Sequence, residues 1–158
     1  MLFRALAIVL LLTTPVIAQQ TDVGFGRGDF DRSAPVEVAA DELEVDQATG
    51  RAVLTGNVVI AQGDLRLSAQ RVIVNYAEGD GDRRIERLNA EGDVLIVAGD
   101  DAAQGQSATY VLGTSDILMT GDVVVTQAGS TLAGDRLTVN LTSGAGTVSG
   151  RVRTTLQP

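Results

Sequence analysis

The sequence of 158 residues contains no cysteine and no histidine. Without cysteine, no disulfide can hold the fold, even though the chain carries an export signal that is described below. The missing histidine and cysteine also exclude the usual general base, the thiolate nucleophile and most zinc sites. A hydrolase built on a β-helix would lack catalytic groups. The sequence therefore predicts a protein that is not an enzyme, with no catalytic residue, metal or cofactor.

Lysine is also absent, and all twelve basic residues are arginines against twenty acidic ones. A nucleic-acid binder needs a basic face, so the net charge of −8 predicts no nucleic-acid partner. Tryptophan is missing and aromatic residues make up only 3% of the chain. The hydrophobic interior must therefore consist mainly of valine, leucine and isoleucine.

Carboxylates are abundant, but most of them fall in turns or in the outward phase of a strand pattern. A solvated face explains them better than an acid–base pair. Asp80 and Asp82 could attract a cation weakly, although a flexible polar loop is the preferred interpretation. The repeated Gly-Asp steps lack the nine-residue spacing of calcium-binding β-rolls.

The first residues have the pattern of a secretion signal. Arg4 supplies the charge, Ala5–Leu12 is a short apolar run, and Ala18 is the small residue before a cut. A retained anchor is the alternative, but the run is short for a bilayer. We expect residues 1–18 to be a cleavable signal peptide, so that the mature chain begins at Gln19 with a net charge of −9 after Arg4 is lost.

Residues 19–34 are polar and lack periodicity, which predicts a flexible N-terminal segment before a domain over 35–158. That domain repeats itself. One series of glycines stands at 56, 92, 121 and 150, with gaps of 36, 29 and 29 residues. A second series of small residues stands at 40, 69, 105 and 134, with gaps of 29, 36 and 29. The unit is therefore 29 residues, with seven extra residues in the polar run Glu78–Arg87.

Apolar residues alternate with polar ones on both sides of each key glycine, which is the period of a strand with one buried face. In the second series this alternation changes phase at the small residue. Such a change predicts a bulge or corner where a strand passes from one sheet to another. Short turns leave no room for crossover helices, so the sequence predicts an all-β protein of about eight long, bent, antiparallel strands.

Three stretches resemble the OstA-like domain family. They are Val36–Asp46, Ala52–Ile60 and Leu65–Tyr76, and a second pass follows from Gly121 to Leu141. The resemblance covers about residues 35–155. It implies two antiparallel sheets folded over one another like a taco and open along one side.

The resemblance also implies a function in the periplasm. Family members stack head-to-tail into a bridge that carries the acyl chains of lipopolysaccharide (lipid A) from the inner to the outer membrane. The implied partners are further copies of the chain, an inner-membrane LptC-like protein and an outer-membrane LptD-like protein, both with OstA-like domains. We expect the lipid to contact the inward residues, for which the candidates are Val38, Leu43, Val58, Ile60, Leu67, Val74, Tyr76, Ile96, Tyr110, Met119, Val123 and Val139.

A purely structural β-solenoid, an adaptor or filament with a packed core, is the alternative function, because an apolar ladder suits a core as well as a groove. An unclosed solenoid leaves two unpaired edge strands. We expect them at Val36–Asp46 and at Thr147–Thr155, where another copy could add edge to edge.

Overall fold

The computed structural model describes residues 20–26, 30–79 and 83–157. The predicted signal peptide, the predicted mature terminus at Gln19, and Asp80 and Asp82 lie outside the described residues. Within them the chain forms strands and no helix, and none of these residues belongs to a helix that could cross a bilayer. The prediction of an all-β fold is confirmed.

Eleven strands follow one another in the described part of the chain. They are β1 (Gln20–Gly24), β2 (Val36–Ala39), β3 (Glu42–Asp46), β4 (Arg51–Gln62), β5 (Leu65–Tyr76), β6 (Ile85–Ala98), β7 (Asp101–Val111), β8 (Asp116–Gln127), β9 (Ser130–Asn140), β10 (Ala145–Ser149) and β11 (Arg153–Thr155). All their pairings are antiparallel, and the main path through the sheet is β1-β10-β9-β8-β7-β6-β5-β4-β2. In addition, β3 pairs with β4 and β11 pairs with β9.

The sheet is bent along one line. Five consecutive strand pairs, from β4–β5 to β8–β9, shift register in their middles, for example between Thr55 and Val58 and between Thr120 and Val123. These bulges lie at the glycines and small residues of the two repeat series, as the phase change predicts. β2 with β3, and β10 with β11, are the two halves of bent strands at the ends of the array. The eight expected bent strands are therefore all present.

The bulges divide the sheet into two halves. The first half-sheet contains β1, β3, β10 and the segments 51–55, 71–76, 85–91, 107–111, 116–120 and 136–140. The second half-sheet contains β2, β11 and the segments 58–62, 65–69, 94–98, 101–105, 123–127 and 130–134. Inward residues of both halves belong to one apolar core. The buried polar residues among those described are Gln62 and Ser115, and the Ser115 hydroxyl has no hydrogen-bond partner.

The N-terminal segment differs from the expectation of a loose, flexible chain. Residues 20–24 form β1, which pairs with β10 from Gln20 opposite Ser149 to Gly24 opposite Ala145. Phe25 follows with only 1% of its surface exposed. The polar composition of residues 19–34 concealed a five-residue alternation, which is too short to stand out from the sequence without its partner strand.

Candidate functional site

The candidate site is the interior between the two half-sheets. Nine of the twelve predicted inward residues are buried in the common core. They are Val58, Ile60, Leu67, Val74, Ile96, Tyr110, Met119, Val123 and Val139. No charged side chain is among the buried residues that the structure describes, so these side chains form an uncharged, largely aliphatic ladder. Their contact with a lipid stays a prediction.

The other three predicted residues are not fully buried. Val38 is 44% exposed and Leu43 is 60% exposed. Both lie in the end strands β2 and β3, which no further strand of the described residues covers. Tyr76 is partly buried against the core at the end of β5. Burial therefore depends on position along the array. Val38 and Leu43 have the inward phase as predicted, but they are exposed because no described strand lies beyond them.

One side of the site is closed by the bend. At each turn of the repeat, the residue after the key glycine has a positive φ and hydrogen-bonds a side chain from the neighbouring strand segment. The pairs are Asn57 with Asp41 (2.9 Å), Gln70 with Asp93 (2.7 Å), Gln106 with Asp122 (3.2 Å) and Arg151 with Asp135 (2.6 Å). The bonds from Arg151 hold the pKa of the Asp135 carboxyl below its ordinary value. The bend is thus a repeated, polar, solvent-facing seam.

The opposite side is formed by two rims of hairpin turns. Turns at 47–50, 112–115 and 141–144 border the first half-sheet, and turns at 63–64, 99–100 and 128–129 border the second. No strand of one half pairs with a strand of the other across these rims in the described part of the chain. This is the open side of the taco.

A buried hydrogen bond joins the two half-sheets near the rims. The Tyr110 hydroxyl, from the first half, donates to Oε1 of Gln62, from the second half, at 3.1 Å. Burial raises the pKa of the Tyr110 hydroxyl to about 12, an effect that the charge of Arg32 partly opposes. The bond satisfies two polar groups that the apolar interior would otherwise leave unpaired.

Residues near the N-terminus cross between the rims. The Phe25 amide donates to the Gly144 carbonyl at 2.8 Å on the first rim, and the Gly26 amide donates to Asp101 Oδ2 at 2.7 Å on the second. Farther along, Arg32 donates to the Gly113 carbonyl, and Gln62 Nε2 donates to the carbonyls of Arg32 and Ala34. These contacts hold the rims together.

Phe25 is the residue of the site that sequence reasoning missed. Its ring is buried on the open side, beside a cleft of about 500 Å³ that Phe30, Leu65, Ala98 and Leu141 also line. A signal was present: the chain has only three phenylalanines, and Phe25 directly follows the alternating residues of β1. A large apolar residue in a polar segment indicates a docked segment rather than a loose one.

The two ends of the array are not equivalent. At the N-terminal end, β2 and β3 have β4 as their one partner among the described strands, and Val45 of β3 is 53% exposed. This edge is where the sequence predicts it. At the other end the prediction of a free edge over Thr147–Thr155 is only half right, because β1 covers β10 and leaves β11 with β9 as its one partner among the described strands.

No group of three or more His, Cys, Asp or Glu side chains within the described ranges could hold a metal ion. The charged groups pair on the surface instead, as in the contact of Arg71 with Glu91 at 3.5 Å. What the interior offers chemically is therefore an apolar surface, with two polar residues near the rim.

Known proteins resemble this chain over most of its length. An uncharacterised protein of Rhizobium meliloti (strain 1021) is 27% identical over 94% of this chain and 84% of its own length. The lipopolysaccharide export system protein LptA of Escherichia coli (strain K12) is 23% identical over 84% of this chain and 73% of its own.

A solved structure has the same fold. The crystal structure of LptH from Pseudomonas aeruginosa, described as the LptA homologous periplasmic component of the lipopolysaccharide transport device, superposes with a TM-score of 0.72 at 22% identity. The match covers 81% of this chain and 99% of that one. The family described as LptA/(LptD N-terminal domain) LPS transport protein matches residues 37–145, which is more than half of the chain. The chain therefore belongs to the family of LptA and LptD N-terminal domain lipopolysaccharide transport proteins.

Proposed function

We propose that this protein binds the acyl chains of lipopolysaccharide in its interior and passes them along a stack of copies in the periplasm. The observation that carries the proposal is the uncharged apolar ladder between two half-sheets that no described strand joins along one side. Acyl chains gain free energy from such a surface in proportion to the apolar area that leaves water. The acidic outer surface keeps lipid phosphates at the rim.

The ends of the array support head-to-tail stacking. Strand direction alternates through the whole sheet, and β3 of a second copy placed beside β10 would continue that alternation, as would β2 beside β11. The exposed inward side chains Val38, Leu43 and Val45 would then lie above the buried ladder of the next copy. A contact between unlike ends extends without closing, so it forms a filament rather than a dimer.

The implied surroundings follow from the family. The LptH structure is described as a periplasmic component, and the N-terminal signal pattern agrees with export. In this setting the N-terminal edge and the C-terminal edge would meet OstA-like domains of an inner-membrane LptC-like and an outer-membrane LptD-like protein. Binding and transport need no catalytic group, and we propose that the protein is not an enzyme.

Two adjacent valines of β8 test the lipid site. Val123 is inward and fully buried, whereas Val124 faces outward and is half-buried. Val→Thr keeps the side-chain shape and replaces one methyl by a hydroxyl. Val123→Thr should weaken lipopolysaccharide capture about fourfold, because one methyl group is worth about 0.8 kcal/mol of burial. Val124→Thr is the control and should leave capture unchanged.

Capture is measured on purified periplasmic protein with immobilised lipopolysaccharide, and the melting temperature of each variant is recorded to exclude unfolding. Equal capture by the two folded variants would mean that the ladder is only a core. The structural β-solenoid would then be the better account.

A further inference from the structure

We propose that residues 20–26 form a self-inhibitory strap, which occupies the position that β3 of a second copy takes during stacking and blocks the groove with Phe25. The inference rests on the proposed head-to-tail stacking and extends it to regulation. It requires that the strap leave its place before another copy can pair with β10. Three features of the structure lead to it.

The first feature is that β1 imitates β3. Both have five residues, Gln-Thr-Asp-Val-Gly in β1 and Glu-Leu-Glu-Val-Asp in β3, with polar residues outward and two residues inward. Their registers also agree. Arg71 of β5 pairs with Thr55, the residue before repeat glycine 56, and Gln20 of β1 pairs with Ser149, the residue before repeat glycine 150. β1 therefore lies on the free side of β10 as β5 lies on β4. Glu42 of β3 and Arg71 of β5 each stand two residues after a small residue of the second repeat series, at 40 and 69, so β3 of a second copy would take on β10 the register that β1 holds.

β1 offers less apolar surface to β10 than β3 of a second copy would. The inward residues of β1 are Thr21 and Val23, whereas those of β3 are Leu43 and Val45. Leu43 is 60% exposed at its own edge, while Val148, beneath Thr21, is completely buried. Exchange of β1 for β3 of a second copy would cover more apolar surface at the same register. Because β1 buries less apolar surface, β3 of a second copy can displace it from β10.

The second feature is that β11 offers an edge at which a second copy can begin to replace β1. β1 covers only β10, and β11 pairs with no strand but β9 among those described. β2 of a second copy can therefore pair with β11 first. Because β2 and β3 are consecutive in the chain, this contact brings β3 next to β10. The effective concentration of β3 at β10 rises, so that β3 can displace β1.

The third feature links assembly to lipid access. Phe25 continues directly from β1 and lies on the open side, with its amide bonded to the first rim and that of Gly26 bonded to the second. Removal of β1 from β10 would pull Phe25 away from the cleft of about 500 Å³ that it lines. A copy without a neighbour would therefore keep its groove closed, and a stacked copy would open it.

A reversible covalent lock tests the strap. Asp22 and Thr147 are directly opposite in β1 and β10, and the Thr147 hydroxyl donates to Asp22 Oδ1 at 3.1 Å. Opposite residues of antiparallel strands have Cα separations that a disulfide can span. The chain has no cysteine of its own, so the double variant Asp22→Cys/Thr147→Cys can form only this intramolecular bridge. The concentration for half-maximal association is measured by sedimentation velocity before and after reduction.

We expect the oxidised form to need at least a tenfold higher concentration than the reduced form. The matched control is Asp116→Cys/Asn140→Cys, another directly opposite pair of the first half-sheet whose side chains are hydrogen-bonded. That bridge joins β8 to β9 and leaves β1 free, so oxidation should not change association. Two single variants change the docking of the strap by smaller amounts. Thr21→Leu should strengthen docking and weaken association between copies, and Val23→Ser should weaken docking and strengthen association.

Equal association of the oxidised and reduced lock would overturn the strap while leaving head-to-tail stacking intact. If the reduced lock and Val23→Ser both remain monomeric at every concentration, stacking through β10 is wrong and the strap proposal is overturned with it. The Val123 and Val124 variants carry the same strap, so the ratio of their lipopolysaccharide capture reports on the groove in either case.

Discussion

The bend side and the open side of this protein close the same interior by different means. On the bend side, one arrangement of a glycine, a positive-φ residue and a polar side-chain pair recurs through the array. On the open side, the rims meet through a buried Tyr110–Gln62 bond and through N-terminal residues that belong to no repeat. The contacts of the bend recur in every repeat, whereas the contacts between the rims occur once and include N-terminal residues that lie outside the repeats.

The largest expected effect is the loss of stability when a glycine of the bend, rather than one of the open side, is replaced by alanine. Gly121 lies in the bend with φ of +85°, and an added Cβ would come within 2.7 Å of the Gln106 Cβ. Gly121→Ala should lower the free energy of unfolding by about 3 kcal/mol, from backbone strain and overpacking together. Gly113, in an open-side turn, has nothing within 4 Å of such a Cβ. Chemical denaturation of Gly113→Ala should show a change below about 0.5 kcal/mol, and similar losses in the two variants would contradict the comparison.

The second effect is a loss of stability in alkaline solution that originates on the open side. Tyr110 has a pKa of about 12 in the folded protein against an ordinary 10.0. Above pH 10 the unfolded chain releases this proton while the folded chain keeps it, so stability is complete below pH 10 and declines toward pH 12. The decline should be about 2 kcal/mol.

Tyr110→Phe should remove most of this decline, at a cost of about 1 kcal/mol near neutral pH because Gln62 Oε1 loses its donor. Tyr76→Phe, at the other tyrosine of the chain, is the control and should retain the alkaline decline. Denaturation curves between pH 8 and pH 12 decide the matter, and an unchanged slope in Tyr110→Phe would assign the decline to other groups.

The third prediction compares the stability lost by truncating a strap residue with that lost by truncating a residue of β6. Leu88 and Phe25 are each only 1% exposed. Leu88→Ala should cost about 3 kcal/mol of global stability, as core truncations do. Phe25→Ala should cost about 1 kcal/mol, because a strap that detaches locally contributes no more than its own docking energy. Hydrogen exchange of β1 amides should accelerate in Phe25→Ala while the amides of β6 stay protected. A loss of stability as large as that of Leu88→Ala would show that the strap does not detach locally.

The smallest effect is expected at the solvent-exposed bend pair of Asp135 and Arg151. Arg151 has φ of 45°, the value of Asn57 at the equivalent place, and asparagine tolerates this conformation better than arginine. Arg151→Asn should leave stability unchanged within error. It should also let the lowered pKa of Asp135 rise toward its ordinary value, since bonds from Arg151 are the main cause of the lowering. An NMR titration of the carboxyl signal measures this; a pKa that stays low would assign it to another cause.

Much of the fold could be predicted from the sequence because its determinants are local and repeated. The alternation around Gly56, Gly92 and Gly121 predicts the strands, and the phase change predicts the bulges, which the structure confirms. Burial at the ends could not be predicted in the same way. Leu43 and Val58 have the same inward phase, but only Val58 has rungs on both sides.

The burial of the interior was predicted at the centre of the array and missed at its margin. Nine of twelve ladder residues are buried as expected, because a period of two assigns each side chain to a face without reference to distant residues. Gln62 and Phe25 continue the inward phase of β4 and β1, but that phase does not identify the residues they contact. Their roles depend on partners 48 residues away, at Tyr110, and more than a hundred residues away, at Gly144.

The sequence by itself determined which residues form strands, where those strands bend and which side chains face inward, because these properties depend on near neighbours and recur with the repeat. Only the tertiary structure decided where the N-terminal residues go, which edge is bare and which side of the interior is open. Those outcomes depend on contacts between the two termini and between the two rims. Such contacts form once, between distant segments, and leave no period in the sequence.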